Sequence, residues 1–292
     1  MPVSPDLAPW LTCNKTVGYD ESYHHALVTE DLAYREALLP QLKLFVDQIH
    51  MQAKQHLRSF AGSSLDPFQL DTPKDPGYGY PEELPLTTKK GYFGEIMAGI
   101  YAEWNAPHGI DGWEVPTYPL ILHEHAFNYL EKWRQTSISS SNVIGQSGDD
   151  CLAFHRDGSG RIIRCLVCEA KCSAKHDASL INDAHDNLSD LLSRPVSLMK
   201  LIAILDKRKD LVSMEWVDAL RQFWMSEPRS NHERLDLAVY VCGKAPQRSN
   251  VWAVDIRSPS QHYNGGRRLE FVEIHLNDVD ATLNALYVNN AS

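Results

Sequence analysis

The sequence predicts a protein that combines α-helices with a β-sheet, in an α/β or α+β architecture. Residues 40–59 and 89–104 repeat apolar side chains at helical spacing. Residues 235–241 and 269–276 are short, nearly continuous apolar runs, which are typical of buried strands. Helical and strand patterns occur together in the C-terminal third, and this mixture indicates a sheet covered by helices.

The N-terminal half contains three predicted helices. The first covers 40–59, with Pro40 in its first turn, and a proline-rich loop follows at 67–85. The second covers about 89–104. Its second face consists of small residues and Glu95, which indicates that another element packs closely there and partly buries the carboxylate. A third helix is predicted at 120–136, followed by a serine-rich link.

The C-terminal half begins with a predicted hairpin. The motif "DGSG" at 157–160 is a turn signal between two apolar runs. The remaining elements follow in order: a helix at 174–193, helical structure over 195–224, strands at 235–241, 251–256 and 269–276, and a helix at 278–287.

The second hairpin strand ends in Glu169 and Lys171, which share one face because they lie two residues apart. A two-residue turn would place Asp150 opposite Val167. Asp150 would then project to the same face, diagonal to Glu169, and both carboxylates could reach one ion. This register puts Asp149 on the other face, whereas a turn of three or five residues would exchange the two aspartates.

Two carboxylates and a lysine on one patch of a sheet are suited to metal-assisted phosphoryl chemistry. Mg²⁺ prefers hard oxygen ligands and keeps several waters, one of which can become a nucleophile. Asp150 and Glu169 would anchor the ion, and Lys171 would position water and offset charge on the phosphate. Glu95, from the preceding helix, could add a third carboxylate.

The order of these residues resembles the PD-(D/E)xK nuclease superfamily. The matching residues are Glu95 in "KGYFGEI", Asp150 in "GDDCLAF", and Glu169 and Lys171 in "CEAK", within about 88–242. The resemblance implies a restriction-endonuclease-like mixed sheet flanked by helices. It also implies metal-dependent phosphodiester cleavage, with these four residues catalytic and with the three carboxylates as ligands of Mg²⁺ or Mn²⁺.

The chain departs from the family pattern after Lys171. No glutamine follows on the next helix, where many members carry one, and His185 or Asp183 could lie near the site instead. A narrower resemblance is to bacterial anti-phage nuclease effectors, in particular the nuclease subunit of the Hachiman system, which has a helicase partner.

The rest of the sequence is divided into an N-terminal helical and proline-rich segment (1–87) and a C-terminal α/β extension of strands and a helix packed on the core (243–292). The net charge of −10 argues against general nucleic-acid coating, so we expect a DNA substrate to be delivered by a partner, a helicase-like ATPase. No long apolar stretch indicates a membrane span. Six cysteines are too few for a disulfide scaffold, and a reduced cytoplasmic setting is expected.

Other interpretations stay open for each motif. The chain could be a non-catalytic interaction subunit with a degenerate nuclease fold. The cysteines at 151–172 could hold an iron–sulfur cluster, although buried structural thiols explain them better. The site residues also have structural alternatives: a salt-bridged strand end for Glu169 and Lys171, a turn or cap for Asp150, and a helix-start carboxylate for Glu95.

Overall fold

The computed structural model describes residues 2–17, 21–61, 75, 77–118, 149–189, 192, 194–226, 232–243 and 261–287. Six strands form one mixed sheet in the order β1-β2-β6-β5-β4-β3. The strands are β1 (Leu11–Val17), β2 (Tyr23–Glu30), β3 (Cys151–Arg156), β4 (Ile162–Ser173), β5 (Glu233–Cys242) and β6 (Leu269–His275). The four central strands are parallel, and the two edge strands pair antiparallel with their neighbours.

Helices cover both faces of this sheet. They are α1 (Leu32–Ala61), α2 (Leu86–Trp104), α3 (Ala178–Asn187), α4 (Leu198–Arg208), α5 (Leu211–Met225) and α6 (Val279–Tyr287). One hydrophobic core lies between the sheet and α1, α2 and α6, and a second lies between the sheet and α3, α4 and α5. We call the two sides of the sheet the α2 face and the α3 face. The predicted mixed sheet flanked by helices is therefore confirmed.

Apolar side chains on both faces explain why β5 lies in the middle of the sheet. Leu237 and Val239 belong to the core on the α2 face, whereas Ala238 and Tyr240 belong to the core on the α3 face. Parallel strands that are covered on both sides have this nearly continuous apolar pattern.

The structure corrects the predicted N-terminal segment. Residues 1–87 contribute the unpredicted strands β1 and β2, and β2 pairs with β6, so strands from all three predicted segments belong to the same sheet. Helix α1 begins at Leu32, which places Pro40 inside the helix rather than in its first turn. Burial of α1 residues such as Phe45 and Ile49 offsets the hydrogen bond that an interior proline removes.

The predicted helical region 195–224 is divided into two helices. Lys209 has a left-handed backbone (φ 57°) and ends α4, and the Asp210 side chain then caps α5 by accepting a hydrogen bond from Ser213 N (3.0 Å). The helix predicted at 120–136, the serine-rich link and the strand predicted at 251–256 lie outside the described residues. Within the described part of the chain, no helix is both long and apolar enough to cross a membrane.

Candidate functional site

The pairing of β3 with β4 positions the predicted site. Leu152 lies opposite Val167, whereas the predicted register placed Asp150 there, so the prediction was wrong by two residues. Two local features cause this. Arg156 pairs with Ile162 rather than with Arg161, so the turn is one residue longer than predicted, and an irregularity between His155 and Arg156 shifts the register by one further residue. Because side chains alternate with a period of two, a shift of two residues leaves Asp150 on the predicted face.

Asp150, Glu169 and Lys171 all belong to the α3 face. Leu152 and Val167 contribute to the core on that face, and the alternation along each strand places the three polar residues on the same side. The backbone N–H of Asp150 donates to the carbonyl of Cys168 (3.1 Å), which continues the hairpin ladder to the aspartate.

Asp150 is a half-buried residue whose carboxylate lies near that of Glu169. Its Oδ2 accepts a hydrogen bond from Ala170 N (2.7 Å). Burial, followed by the negative charge of Glu169, raises the pKa of Asp150 to about 8, although the Ala170 N–H and Lys171 act in the opposite direction. The two carboxylates are therefore close enough to repel each other.

Glu169 is held by two donors. Lys171 Nζ lies 2.6 Å from Glu169 Oε1, and Asn187 Nδ2 donates to the same oxygen at 2.7 Å. Only 5% of the Glu169 surface is exposed. Burial opposes the charged form of Lys171, but the Glu169 carboxylate, with help from Asp150 and Asp183, raises the pKa of the ammonium above its usual value. Lys171 is thus a permanent cation of this site at neutral pH.

Asn187 is the site residue that the sequence analysis missed. It lies in the last turn of α3, the helix that follows Lys171, and supplies the side-chain amide that was expected from a glutamine. An asparagine near a helix end is more often a capping residue, and this gave no reason to assign it to the site. Asp183, which was considered for this position, instead adds to the charge around Lys171.

Glu95 lies on the other side of the sheet. It is 2% exposed on α2, whose apolar residues fill the core on the α2 face. Burial and then the charge of Glu95 raise the pKa of Tyr92, which places this carboxylate among the tyrosines of that layer. Across the described ranges, Glu95, Asp150 and Glu169 do not form a set of three ligand atoms within 4.8 Å of one another. The structure therefore does not bring Glu95 to this site as a preformed third ligand.

Asp149 and His185 have structural contacts. Ser197 N, at the start of α4, donates to Asp149 Oδ2 (2.7 Å), and Asp149 N donates to Ser197 Oγ (3.0 Å). The Nδ1–H of His185 donates to the Ile181 carbonyl (2.7 Å), and its ring packs 5.1 Å from that of Phe271. Asp149 thus fixes the chain before β3, while His185 belongs to the helix–sheet core.

The four cysteines at 151–172 are divided between the two faces of the sheet. Cys151, Cys168 and Cys172 lie on the α2 face, and Cys165 lies on the α3 face. Burial raises the pKa of Cys165 and of Cys172 to about 12, which favours the neutral thiol over the thiolate that a metal requires. These positions and pKa values agree with the interpretation of the cysteines as structural thiols.

An arginine of the basic motif "NGGRR" at 264–268 forms hydrogen bonds within the protein. Arg267 Nε donates to Asp236 Oδ2 (2.8 Å), and its guanidinium also donates to the Leu188 carbonyl (2.7 Å). Arg234 reaches Asp236 Oδ1 at 3.0 Å. Asp236 is fully buried, and the two arginines compensate its charge. Arg267 therefore has a structural role.

One further polar cluster was not predicted. Ligand atoms of His24, His108 and Glu270 lie within 4.8 Å of one another on the α2 face, and this is the one such group of three in the part of the chain that the structure describes. The sequence gave no signal for it, because the three residues come from segments far apart in the chain.

The fold and the site define an α/β protein with paired carboxylates and a lysine at the end of the β3–β4 hairpin, at one edge of the sheet. Comparison with protein-family models and with curated protein sequences gave no match.

Proposed function

We propose that this chain is a metal-dependent phosphodiester hydrolase, a DNA nuclease that uses Mg²⁺ or Mn²⁺ on a restriction-endonuclease-like core. The observation that carries the proposal is the position of Asp150, Glu169 and Lys171 on one face at the paired ends of β3 and β4. Carboxylates that can hold a metal ion, with a cation beside them, are suited to metal-assisted phosphoryl transfer.

The two carboxylates would hold the ion. Asp150 is oriented by the Ala170 N–H, and Glu169 is oriented by Asn187. A cation between them would relieve the repulsion that raises the pKa of Asp150. When bound, Mg²⁺ supplies Lewis-acid polarisation of a phosphate oxygen and a water of lowered pKa.

Lys171 has the role of a charge stabiliser. Its Nζ contacts Glu169 at 2.6 Å, and 22% of the Lys171 side chain is exposed compared with 7% of the Glu169 side chain, so the lysine is the more accessible of the two to solvent. A substrate phosphate approaching from solvent would meet this ammonium, which compensates charge that develops on the phosphorus oxygens during attack by water. Lys171 would also help to position that water.

The net charge of −10 favours a dependence on a partner, because an acidic chain attracts DNA poorly. We therefore propose that the protein acts in the cytoplasm as an anti-phage effector. In this proposal a helicase-like ATPase delivers the DNA or releases the nuclease.

Plasmid cleavage tests the proposal. The chain, alone and with the helicase-like product of any neighbouring gene, is incubated with supercoiled and linear DNA in Mg²⁺, Mn²⁺ or EDTA. We expect metal-dependent nicking that Glu169→Gln or Lys171→Met lowers by about 10² or more. Asp157→Asn, in the exposed hairpin turn, is the matched control and should retain activity.

One observation favours a second candidate, a non-catalytic interaction subunit. Lys171 forms a direct ion pair with Glu169, and Glu95 lies on the α2 face, away from this pair. The arrangement therefore also fits a salt-bridged strand end. Co-purification with a partner, combined with no cleavage of DNA or RNA in either metal, would favour this candidate and refute the nuclease.

A further inference from the structure

A separate polar cluster lies on the α2 face. His24 on β2 pairs in parallel register with Glu270 on β6, and both side chains project to this face. His108, in the short 3₁₀ turn Pro107–Gly109 after α2, packs over them, with its ring 5.6 Å from that of His24. A carboxylate and two imidazoles are thus gathered from three separate segments.

The hydrogen bonds of His108 define its tautomer. The ring atom Nε2 lies 3.1 Å from the carbonyl oxygen of Asp236, and a carbonyl can only accept, so Nε2 carries the proton. Nδ1 then holds a lone pair. His108 is 4% exposed, and its Nδ1 has no hydrogen-bond partner among the described residues. Metal-binding histidines characteristically donate their second N–H to a carbonyl or carboxylate in this way.

The backbone around His108 is held in an unfavourable conformation. His108 (φ 57°, ψ 21°) and Ala106 (φ 44°, ψ 63°) both occupy the left-handed region, which residues with a Cβ rarely adopt. This conformation directs the His108 N–H to Glu270 Oε2 at 2.5 Å. Such strain persists only where the surroundings fix it, and it concentrates at ligand sites.

The two oxygens of Glu270 have different surroundings. Oε1 accepts from the Tyr101 hydroxyl (2.5 Å) and lies 3.1 Å from Lys15 Nζ. Oε2 faces the His108 N–H and lies 3.8 Å from His24 Nδ1. Oε2 is therefore the oxygen available to an ion between the histidines, while Lys15 competes for the same carboxylate.

We propose that His24, His108 and Glu270 bind a divalent transition metal ion, with Zn²⁺ as the expected occupant. Two imidazole nitrogens and one carboxylate oxygen form a common three-ligand set for zinc, with water in the fourth position. His24 provides the route to solvent, since 12% of its side chain is exposed. A small rotation of this half-buried ring would shorten the ligand distances to those of a tetrahedral site.

This site is independent of the proposed nuclease activity. It lies on the opposite face of the sheet from Glu169 and involves no residue of that site. A bound ion would join β2, β6 and the turn after α2, so its expected role is to hold this end of the fold together.

The test is metal binding by the full-length chain after treatment with EDTA and dialysis. We expect one equivalent of Zn²⁺ to bind in a competition titration with a chromophoric chelator. Co²⁺ in its place should give the visible absorption of a four-coordinate nitrogen–oxygen site. His24→Ala removes a ligand, so it should weaken binding by at least about a hundredfold, the upper end of the loss that removal of an outer-shell partner causes. Lys15→Met should tighten it, because this substitution removes the cation that competes for Glu270.

His176→Ala, at an exposed histidine outside the cluster, is the matched control and should bind as the wild type does. Glu270 is buried, so the Glu270→Gln variant could fail to fold. In that case the variant at the half-buried residue, His24→Ala, provides the test. Equal zinc affinity in the wild type and His24→Ala, or no binding by folded wild type at micromolar zinc, would overturn the proposal.

Discussion

Replacement of His50 by glutamine should change how the stability of this protein depends on pH. His50 lies on α1 and is 3% exposed. Its Nδ1 is 2.8 Å from the Tyr80 hydroxyl, and its Nε2 is 3.0 Å from the Tyr287 hydroxyl. A neutral ring satisfies both tyrosines, one as donor and one as acceptor. A protonated ring would place an uncompensated charge between them.

The magnitude follows from the shift in pKa. Burial, followed by the positive charge of Lys89, lowers the pKa of His50 from 6.5 to about 3. Between these values the unfolded chain binds a proton that the folded chain does not, so the free energy of unfolding falls as the pH falls. Acidification from pH 7 to pH 5 should therefore cost about 2 kcal/mol through this one residue.

Urea unfolding of the wild type and of His50→Gln at pH 7 and pH 5 measures how much His50 contributes to the loss of stability on acidification. The substitution destabilises the protein at pH 7, but it should remove about 2 kcal/mol of the loss between pH 7 and pH 5. The same exchange at exposed His176 is the control and should leave the wild-type loss unchanged. If wild type and His50→Gln lose equal stability on acidification, the reasoning about a buried neutral ring is wrong.

Three further predictions concern polar side chains of the candidate site and of the sheet. Asp150→Asn should raise the melting temperature in EDTA, because it removes an acidic group that burial and the charge of Glu169 disfavour, and it should abolish cleavage. A lower melting temperature would contradict this account. Asn187→Ala should lower cleavage about tenfold and raise the Mg²⁺ concentration needed for half-maximal rate, whereas a purely structural role would leave the metal dependence unchanged. Asp236→Ala should destabilise the fold by about 3–5 kcal/mol in urea unfolding, because Arg234 and Arg267 lose their buried partner. A change below about 1 kcal/mol would refute that account.

Periodicity predicted the elements that have a clear apolar pattern. Helix α2 and strands β5 and β6 occur close to their predicted positions, because apolar residues at helical or strand spacing leave few alternatives. β1 and β2 were missed for the opposite reason. β1 is an edge strand with mostly exposed side chains, and β2 contains the pair His24 and His25, so neither has a clear apolar run.

The candidate site was only partly predictable, for a geometric reason. Local alternation determines which residues share a face, so the grouping of Asp150 with Glu169 and Lys171 survived an incorrect register. In contrast, the local sequence of a helix does not determine which face of the sheet that helix covers. Glu95 lies on a helix that packs against the α2 face, and nothing in its own sequence indicates which side of the sheet that helix covers.

The two candidate cation sites can be separated experimentally because the sheet lies between them. Glu169 on β4 projects to the α3 face, while Glu270, two strands away on β6, projects to the α2 face. The first site offers carboxylates and suits Mg²⁺, and the second offers imidazoles and suits Zn²⁺. In His24→Ala we therefore expect Mg²⁺-dependent cleavage to persist while zinc binding weakens about a hundredfold. In Glu169→Gln we expect cleavage to fall by about 10² or more while zinc binding is unchanged. Loss of both properties in either variant would mean that the sites are coupled through the sheet, contrary to the separation seen in the fold.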